Sequence, residues 1–239
     1  MQTEDDRSRF TFQTETGWFD LIRSDWETRT AHLRHRQLRI LEIGSFEGCS
    51  TTWILDNLMA HPDSLMTAVD TFQGGMEHQQ DSHHPSDPPV DRYQLSTLKD
   101  RFDRNVAKCK EVAKLRVIQA RSDQALLKLR QDGSQFDFIY VDASHTAIDV
   151  LHDAVMCWHM LDQGGTLVFD DYTWRGFIED CYNPRIAIRA FVKCARPEVE
   201  CTETESQLWV KRVPNCVAAT PNPDPALYYW DKGLAKRSV

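Results

Sequence analysis

The central part of the chain alternates apolar runs with stretches of helical periodicity. The apolar runs predict five strands, at Arg39–Ile43, Leu65–Asp70, Leu115–Gln119, Phe136–Asp142 and Gly165–Asp170. Apolar residues at helical spacing predict helices near 49–60, 92–109, 123–130, 147–161 and 185–194. Because strands that alternate with helices are joined by right-handed crossovers, this order predicts a parallel sheet with helices on both faces.

The last apolar pattern, EVECTETESQLWVKRV from Glu198 to Val213, contains two strand-like runs around a short polar turn. Two strands that follow each other so closely pair antiparallel, as a hairpin at one edge of the sheet. The sequence therefore predicts an α/β fold with a doubly wound, Rossmann-like sheet of seven mostly parallel strands and an antiparallel C-terminal hairpin. We place this domain at residues 39–213, after a helical lead-in at 1–38.

Two segments stand outside the alternating pattern. The first, Thr71 to Asp91, is polar and rich in Gly, Pro and His, and it follows the carboxyl end of the second strand, where we expect a lid. Its histidines, His78, His83 and His84, are interpreted as solvated loop polarity, with metal binding as the alternative. The second is an arm at 214–239, which we expect to pack on this subunit or on a neighbour, so that a homo-oligomer is left open.

Composition narrows the class of protein. A chain of 239 residues, 41% of them hydrophobic, can bury one substantial core, and no apolar run approaches the roughly 18 residues that span a bilayer. A net charge of −8 argues against sequence-tolerant nucleic-acid binding, which needs a cationic surface. Seven scattered cysteines without a C-x-x-C pair favour reduced thiols over disulfides or a zinc site. We therefore expect a soluble, cytoplasmic protein without a membrane or nucleic-acid partner.

The stretch LEIGSFEGCS joins the first strand to the next helix. Gly44 and Gly48 permit a tight turn with close backbone approach, as in the nucleotide-binding turns of open α/β sheets, although such turns also occur for packing alone. Glu42, two residues before the first glycine, disfavours a pyrophosphate. Asp70 ends the second strand, where a carboxylate can accept hydrogen bonds from two ribose hydroxyls. Together these residues favour a positively charged nucleoside without phosphates.

These residues resemble the E-x-G-x-x-x-G turn and strand-two acid of the class I S-adenosylmethionine-dependent methyltransferases, over roughly Arg39 to Arg212. The resemblance implies S-adenosylmethionine as cofactor. It also implies a set of cofactor-binding residues: Glu42, Gly44, Ser45, Gly48, Asp70, Ser122, Asp123 and Asp142. Ser122 and Asp123 correspond to positions beside the adenine, and the alternative for both is an N-cap of the following helix.

Three carboxylates follow two neighbouring strands. Asp142 ends the fourth strand, and Asp170 and Asp171 end the fifth. Adjacent parallel strands lie about 4.8 Å apart, so these acids meet and repel each other unless a cation or a proton joins them. Mg²⁺ or Mn²⁺ fits such an oxygen-rich set, so all three are predicted metal ligands. The alternative is that Asp142 and Asp171 are helix or turn caps.

His145 lies three residues after Asp142 and is predicted to be the catalytic general base beside the ion, with Asp142 also part of the catalytic site. The D-x-x-H followed by D-D resembles the metal-dependent sugar O-methyltransferases of the macrocin and mycinamicin type. In the catechol type, Lys usually stands at the position of His145 and Asn at that of Asp171. The resemblance implies a sugar or other small hydroxylated acceptor. A phenolic or other natural product as acceptor, and a non-catalytic nucleoside-binding module, are the alternatives.

Overall fold

Seven strands form one sheet in the computed structural model, which describes residues 9–12, 17–75, 78 and 93–215. In chain order they are β1 (Arg39–Ile43), β2 (Leu65–Asp70), β3 (Leu115–Gln119), β4 (Phe136–Val141), β5 (Leu161–Phe169), β6 (Val199–Glu203) and β7 (Leu208–Arg212). The spatial order is β3-β2-β1-β4-β5-β7-β6. Strands β1 to β5 are parallel, whereas β7 pairs antiparallel with both β5 and β6. The predicted fold class is confirmed.

Six α-helices of the described part of the chain cover the sheet. They are α1 (Gly17–Thr30), α2 (Cys49–Leu58), α3 (Leu98–Val106), α4 (Ser122–Gln131), α5 (Ala147–Met160) and α6 (Arg185–Ala195). Short 3₁₀ turns occupy Ala31–Leu33, Leu95–Thr97, Val112–Lys114 and Asp180–Tyr182. Among the described helices, none has both the length and the apolar character needed to cross a membrane.

The core is divided into two parts, one on each face of the sheet. Successive residues of a strand point to opposite faces, so in β4 Phe138 and Tyr140 pack with α1, α2 and α3, whereas Ile139 and Val141 pack with α4, α5 and α6. Strands buried on both faces are apolar throughout, which explains the continuous apolar run of β4.

Helix α1 belongs to the first of these cores. Trp26 of α1 is fully buried, with ring centroids 4.9 Å from Tyr140, 5.3 Å from Trp53 and 5.8 Å from Trp209. Large aromatic side chains in edge-to-face contact contribute stability beyond their burial alone. The described part of the predicted lead-in therefore packs directly on the sheet.

Several element boundaries differ from the predicted ones. Helix α3 begins at Leu98 instead of residue 92, because Gln94 has a left-handed backbone (φ 43°) and a 3₁₀ turn follows it. Strand β5 begins at Leu161 instead of Gly165, since the register against β4 shifts and a bulge with Gly164 at φ 79° absorbs the extra residues. Helix α3 also ends at Val106 instead of residue 109, and the remaining boundaries agree to within about two residues, the usual uncertainty of a helix end.

Parts of two predicted segments lie outside the described residues. Of the predicted lid, the structure describes residues 71–75 and His78, so His83 and His84 fall outside it. Of the predicted arm, it describes Pro214 and Asn215. The lid and the arm therefore stay predictions.

Candidate active site

A cavity of about 1150 Å³ opens at the carboxyl ends of β1, β2, β4 and β5. It lies where the strand order reverses, because β2 and β4 flank β1 on opposite sides, and ligands of open α/β sheets bind at such a point. The predicted site residues that line it are Gly44, Asp70, Ser122, Asp142, His145, Asp170 and Asp171. Glu42, Ser45, Gly48 and Asp123 are not among its lining residues in the described part of the chain.

The turn after β1 brings the backbone close to the end of β4. Gly44 has φ +84°, and a Cβ at this position would lie 1.8 Å from the backbone oxygen of Asp142, so only glycine fits. Gly48 also has positive φ, but its Cβ would lie 3.1 Å from the ring of Phe102 on α3. Gly44 therefore shapes the cavity, whereas Gly48 allows α2 to start close to α3.

Glu42 lies beneath this turn. Its side chain is fully buried and accepts hydrogen bonds from the hydroxyls of Ser45 (2.7 Å), Ser50 (2.6 Å) and Thr51. Glu42 points to the face that α2 covers, and α2 supplies Ser50 and Thr51. Burial raises the pKa of Glu42 to about 7, although these hydrogen bonds counter the rise. Glu42 and Ser45 thus support the turn from below, and contact with the cofactor stays a prediction.

Replacing Glu42 with Gln should change how stability depends on pH. Because the folded-state pKa is about 7 and the model value is 4.5, the proton on Glu42 contributes stability that is full below pH 4.5 and lost as pH rises to about 7. The unmodified protein should therefore lose stability relative to Glu42→Gln across this window, by at most about 1.4 kcal/mol per pH unit. Urea unfolding of both proteins at several pH values measures this, and parallel stability curves would contradict it.

Asp70 holds the turn and faces the cavity. Its Oδ2 accepts the backbone N–H groups of Ser45 (2.7 Å) and Phe46 (2.8 Å), and its Oδ1 accepts that of Phe72 (2.6 Å). A carboxylate has about four acceptor positions, so with these bonds kept one remains on Oδ1. That position can accept a hydrogen bond from one ribose hydroxyl. A second ribose hydroxyl would have to donate to Oδ2, which already accepts the N–H groups of Ser45 and Phe46.

Ser122 and Asp123 occupy different surroundings. Ser122 begins α4 and lines the cavity. Burial raises the pKa of Asp153 on α5, and hydrogen bonds from His152 and Ser122 counter the rise, so Ser122 also connects α4 to α5. Asp123 is exposed and pairs with Arg121 at 3.3 Å. The structure therefore brings Ser122 to the cavity but leaves Asp123 outside it.

The structure brings Asp142 and Asp170 together across β4 and β5, as the parallel pairing predicted. The hydroxyl of Tyr140 lies between them, 3.1 Å from Asp142 Oδ2 and in contact with Asp170 Oδ2. Burial raises the pKa of Asp142 well above its usual range, and the charges of Asp170 and Asp171 add to the rise. Burial, and then Asp171, raise the pKa of Asp170 to about 6. The cluster thus favours binding a proton or a cation.

His145 lies in the turn between β4 and α5. Its Nε2 is 2.7 Å from Oδ2 of Asp171, and its ring stacks on Trp174 with centroids 4.3 Å apart. Asp171 has φ 55°, a conformation that costs a non-glycine residue about 1–3 kcal/mol and that often marks functional sites. Gly176 is required beside Trp174, because a Cβ there would lie 2.0 Å from the indole ring.

Three side chains form a candidate cation site. Asp142, His145 and Asp171 each offer one ligand atom, and these atoms lie within 4.8 Å of one another. Asp170 lies beside this group and is connected to Asp142 through Tyr140. Two or three carboxylates and one imidazole fit Mg²⁺ or Mn²⁺. The ligands predicted from sequence are Asp142, Asp170 and Asp171, whereas this group contains His145 in place of Asp170. His145 is therefore a candidate for a metal ligand or for the general base.

Sequence reasoning missed several residues that line the cavity. Phe46, His78 and Tyr93 form an aromatic group, with Phe46 stacked on His78 at 4.7 Å and Tyr93 edge-on to His78 at 4.7 Å. The sequence pattern predicts only solvated polarity for His78, whereas the aromatic Phe46 inside the turn is a signal for an aromatic contact. A further wall consists of Leu21 and Ile22 of α1 together with Thr173, Glu205 and Ser206.

A comparison with protein families agrees with this geometry. Residues 41–172, more than half of the chain, match the model of a family described as a methyltransferase domain. The chain belongs to this methyltransferase family. The match runs from β1 to just beyond Asp171, so it includes both the turn after β1 and the carboxylate cluster. The predicted family is confirmed. No curated protein matches the sequence.

Solved structures of methyltransferases have the same fold. The O-methyltransferase TomG from Streptomyces achromogenes, involved in tomaymycin synthesis and solved with S-adenosylmethionine, has a TM-score of 0.56 and 18% identity over 80% of each chain. MycE from the mycinamycin pathway, solved with Mg, S-adenosylhomocysteine and mycinamycin VI, has a TM-score of 0.56 and 14% identity. That match covers 90% of this methyltransferase but 58% of the MycE chain. The calicheamicin methyltransferase CalS11 has a TM-score of 0.53 and 13% identity. That match covers 83% of this chain and 80% of the CalS11 chain.

Proposed function

We propose that this methyltransferase transfers a methyl group from S-adenosylmethionine to a hydroxyl of a sugar or other small hydroxylated acceptor, with the help of Mg²⁺ or Mn²⁺. The observation that carries the proposal is that the glycine turn after β1 and the carboxylate–imidazole cluster open into one cavity. The backbone of Gly44 approaches Asp142 so closely that a donor and a cation held there would be neighbours.

The donor half of the proposal rests on the turn and on Asp70. The family match and the cofactors in the TomG and MycE structures support S-adenosylmethionine as donor. Gly44, Asp70 and Ser122 all line the cavity, and in the proposed complex Gly44 offers its backbone, Asp70 accepts from the ribose, and Ser122 contacts the adenine. Within the described residues, six acidic side chains line the cavity, and negative charge favours a cationic sulfonium. They are Asp70, Asp142, Asp149, Asp170, Asp171 and Glu205.

The metal half rests on the carboxylate cluster. Asp142 and Asp171, with Asp170 or His145, would hold the ion. A bound divalent ion supplies Lewis acidity that lowers the pKa of an acceptor hydroxyl. The raised pKa values of Asp142 and Asp170 fit this assignment, because carboxyls that repel one another are stabilised when a cation replaces the proton.

Where Asp142, Asp170 and Asp171 hold the ion, His145 is the general base of the proposed reaction. Its imidazole is held between the ring of Trp174 and the carboxylate of Asp171, so its orientation is fixed before an acceptor binds. In this position it accepts the hydroxyl proton as the acceptor oxygen attacks the methyl group. Positioning of the two reactants in one cavity supplies the remaining acceleration.

Other residues that line the cavity support a hydroxylated acceptor that also has an apolar surface. Leu21 and Ile22 offer apolar contact, and Thr173, Glu205 and Ser206 offer hydrogen-bonding groups. Small-molecule sites commonly combine a mainly apolar wall with a few polar groups that set orientation. MycE, a relative in fold, was solved with mycinamycin VI, which agrees with an acceptor of this kind.

Replacing Asp70 with Asn tests the donor half. The loss of a charged hydrogen bond should weaken S-adenosylmethionine binding by about 1.5–3 kcal/mol. Because the ribose is common to both ligands, calorimetry should show an equal loss for S-adenosylhomocysteine. A loss confined to the sulfonium would instead indicate a charge effect, and unchanged affinity for both ligands would remove Asp70 from the donor site.

The Asp70 experiment needs a control for the turn, since the same carboxylate accepts the N–H groups of Ser45 and Phe46. Urea unfolding of the ligand-free variant reports damage to the turn. Asp63→Asn, an exposed carboxylate outside the cavity, serves as the matched control and should bind both ligands normally.

A further inference from the structure

Gln207 is a fully buried polar residue directly before β7, on the side of the sheet that carries α1. Its side-chain Oε1 accepts hydrogen bonds from two indole N–H groups, Trp26 at 3.0 Å and Trp209 at 3.2 Å. Its backbone N–H donates to the Thr204 hydroxyl at 3.2 Å, which fixes the main chain at this point. Both ends of the side chain are therefore constrained.

The two indoles determine which way the amide points. Trp26 and Trp209 are donors only, so the atom facing them must be the amide oxygen, and the NH₂ group must face the other way. That NH₂ group is buried and has no hydrogen-bond partner among the described residues. A buried donor without a partner costs about 1–3 kcal/mol, so its presence calls for an acceptor.

Asp170 is the acceptor assigned to this NH₂ group, because Phe169 of β5 pairs with Leu208 of β7 in antiparallel register, which places the adjoining residues Asp170 and Gln207 opposite each other. In agreement with this register, the Gln207 side chain lowers the pKa of Asp170 against the larger rise caused by burial. The Asp170 carboxylate also contacts the Tyr140 hydroxyl at Oδ2 and the Asp171 N–H at Oδ1, 2.8 Å away. Trp26 packs edge-on against Tyr140 at 4.9 Å, so one indole supports two groups that act on Asp170.

We propose that Gln207 is a positioning residue for Asp170, with its amide oxygen fixed by Trp26 and Trp209 so that its NH₂ group holds the carboxylate in the orientation that binds the cation. The inference rests on the proposed metal-assisted function. It makes α1 and the β6–β7 turn parts of the cation site, although neither supplies a ligand. Such outer partners of metal ligands typically change metal affinity 10–100-fold when replaced.

Mn²⁺ binding followed by electron paramagnetic resonance tests the inference without turnover, because the signal reports free Mn²⁺ directly. Gln207→Met keeps the length of the side chain and removes the NH₂ group, and it should weaken Mn²⁺ binding at least about tenfold. Phe138→Leu is the matched control, since the Phe138 ring lies 5.9 Å from both Trp26 and Trp209, so the variant disturbs the same packing but leaves both indole N–H groups to orient the amide. This variant should bind Mn²⁺ like the unmodified protein.

Comparing Mn²⁺ binding with stability distinguishes a positioning role of Gln207 from a packing role. If both variants weaken Mn²⁺ binding in proportion to their loss of stability in urea unfolding, Gln207 is a packing residue and the inference fails. Normal Mn²⁺ binding by Gln207→Met overturns the inference while leaving the metal site intact. If the unmodified protein binds no Mn²⁺, the proposed metal function and the inference fail together. Calorimetry with S-adenosylhomocysteine should show the donor affinity unchanged in both variants.

A measurement on the unmodified protein tests the inference even if the Gln207→Met variant does not fold. The side-chain ¹⁵N–H₂ resonances of Gln207, assigned by nuclear magnetic resonance, should shift when Mg²⁺ is added, because the NH₂ group contacts a ligand of the ion. Resonances of Gln119, a side chain outside the cavity, should stay in place. Unshifted Gln207 resonances at saturating Mg²⁺ would overturn the inference.

Discussion

Removal of divalent cations with EDTA is expected to abolish methyl transfer, and added Mg²⁺ or Mn²⁺ to restore it. Asp170 is buried and Asp142 is half-buried, and both lie near Asp171, so without a cation these carboxylates repel one another and one of them retains a proton. Metal catalysis contributes several kcal/mol of charge stabilisation, so turnover should fall by at least about 10³-fold. Asp142→Asn and Asp170→Asn should each have the effect of the chelator.

The experiment combines turnover with direct metal binding. Transfer from radiolabelled S-adenosylmethionine to a panel of glycosides and phenols measures activity, and Mn²⁺ resonance measures binding. Asp63→Asn is the matched control because Asp63 is exposed and outside the cavity. Full activity of a chelated, metal-free enzyme would exclude the metal assignment. Normal Mn²⁺ binding by Asp142→Asn would remove Asp142 from the ligand set.

The meeting of Asp142 and Asp170 could be predicted from sequence, because it follows from local pattern and topology. Apolar runs locate β4 and β5, the crossover rule makes them parallel neighbours, and the carboxyl ends of parallel neighbours lie side by side. The prediction that Gly44 shapes the turn succeeded for the same reason, since a glycine directly after a strand marks close backbone approach.

The surroundings of Glu42 and Gln207 could not be predicted in this way. Glu42 is an unusual acid in an apolar strand, but whether it faces the ligand or the hydroxyls of Ser50 and Thr51 depends on how α2 is rotated. Gln207 acquires its role from Trp26, which is 181 residues away along the chain. Periodicity identifies elements and their faces, whereas contacts between distant side chains depend on packing.

His145 illustrates the same limit at the catalytic cluster. Its position after β4 predicted that it faces the cavity, and the cavity lining agrees. The sequence does not indicate that Asp171 adopts φ 55° and contacts His145 Nε2, or that Trp174 stacks on the ring. These contacts leave two roles open for the imidazole, a general base and a third ligand of the cation.

Replacing His145 with Ala separates these two roles. If His145 is the base, kcat should fall by about 10²–10⁴, the usual contribution of general acid–base catalysis, while Mn²⁺ and S-adenosylhomocysteine affinities stay unchanged. If His145 is a ligand, Mn²⁺ affinity should fall along with kcat. His32→Ala, an exposed histidine outside the cavity, is the control and should be normal in every assay.

The acceptor adds a second test of the base. An aliphatic sugar hydroxyl has a very high pKa, whereas a phenol ionises near a pKa of about 10 and needs less help to lose its proton. The loss of kcat in His145→Ala should therefore be larger for a sugar hydroxyl than for a phenol. With the unmodified enzyme, the rate should rise with pH as the imidazole loses its proton. This rise should disappear in the variant. Equal losses for both acceptors, together with an unchanged pH profile, would show that another group takes the proton.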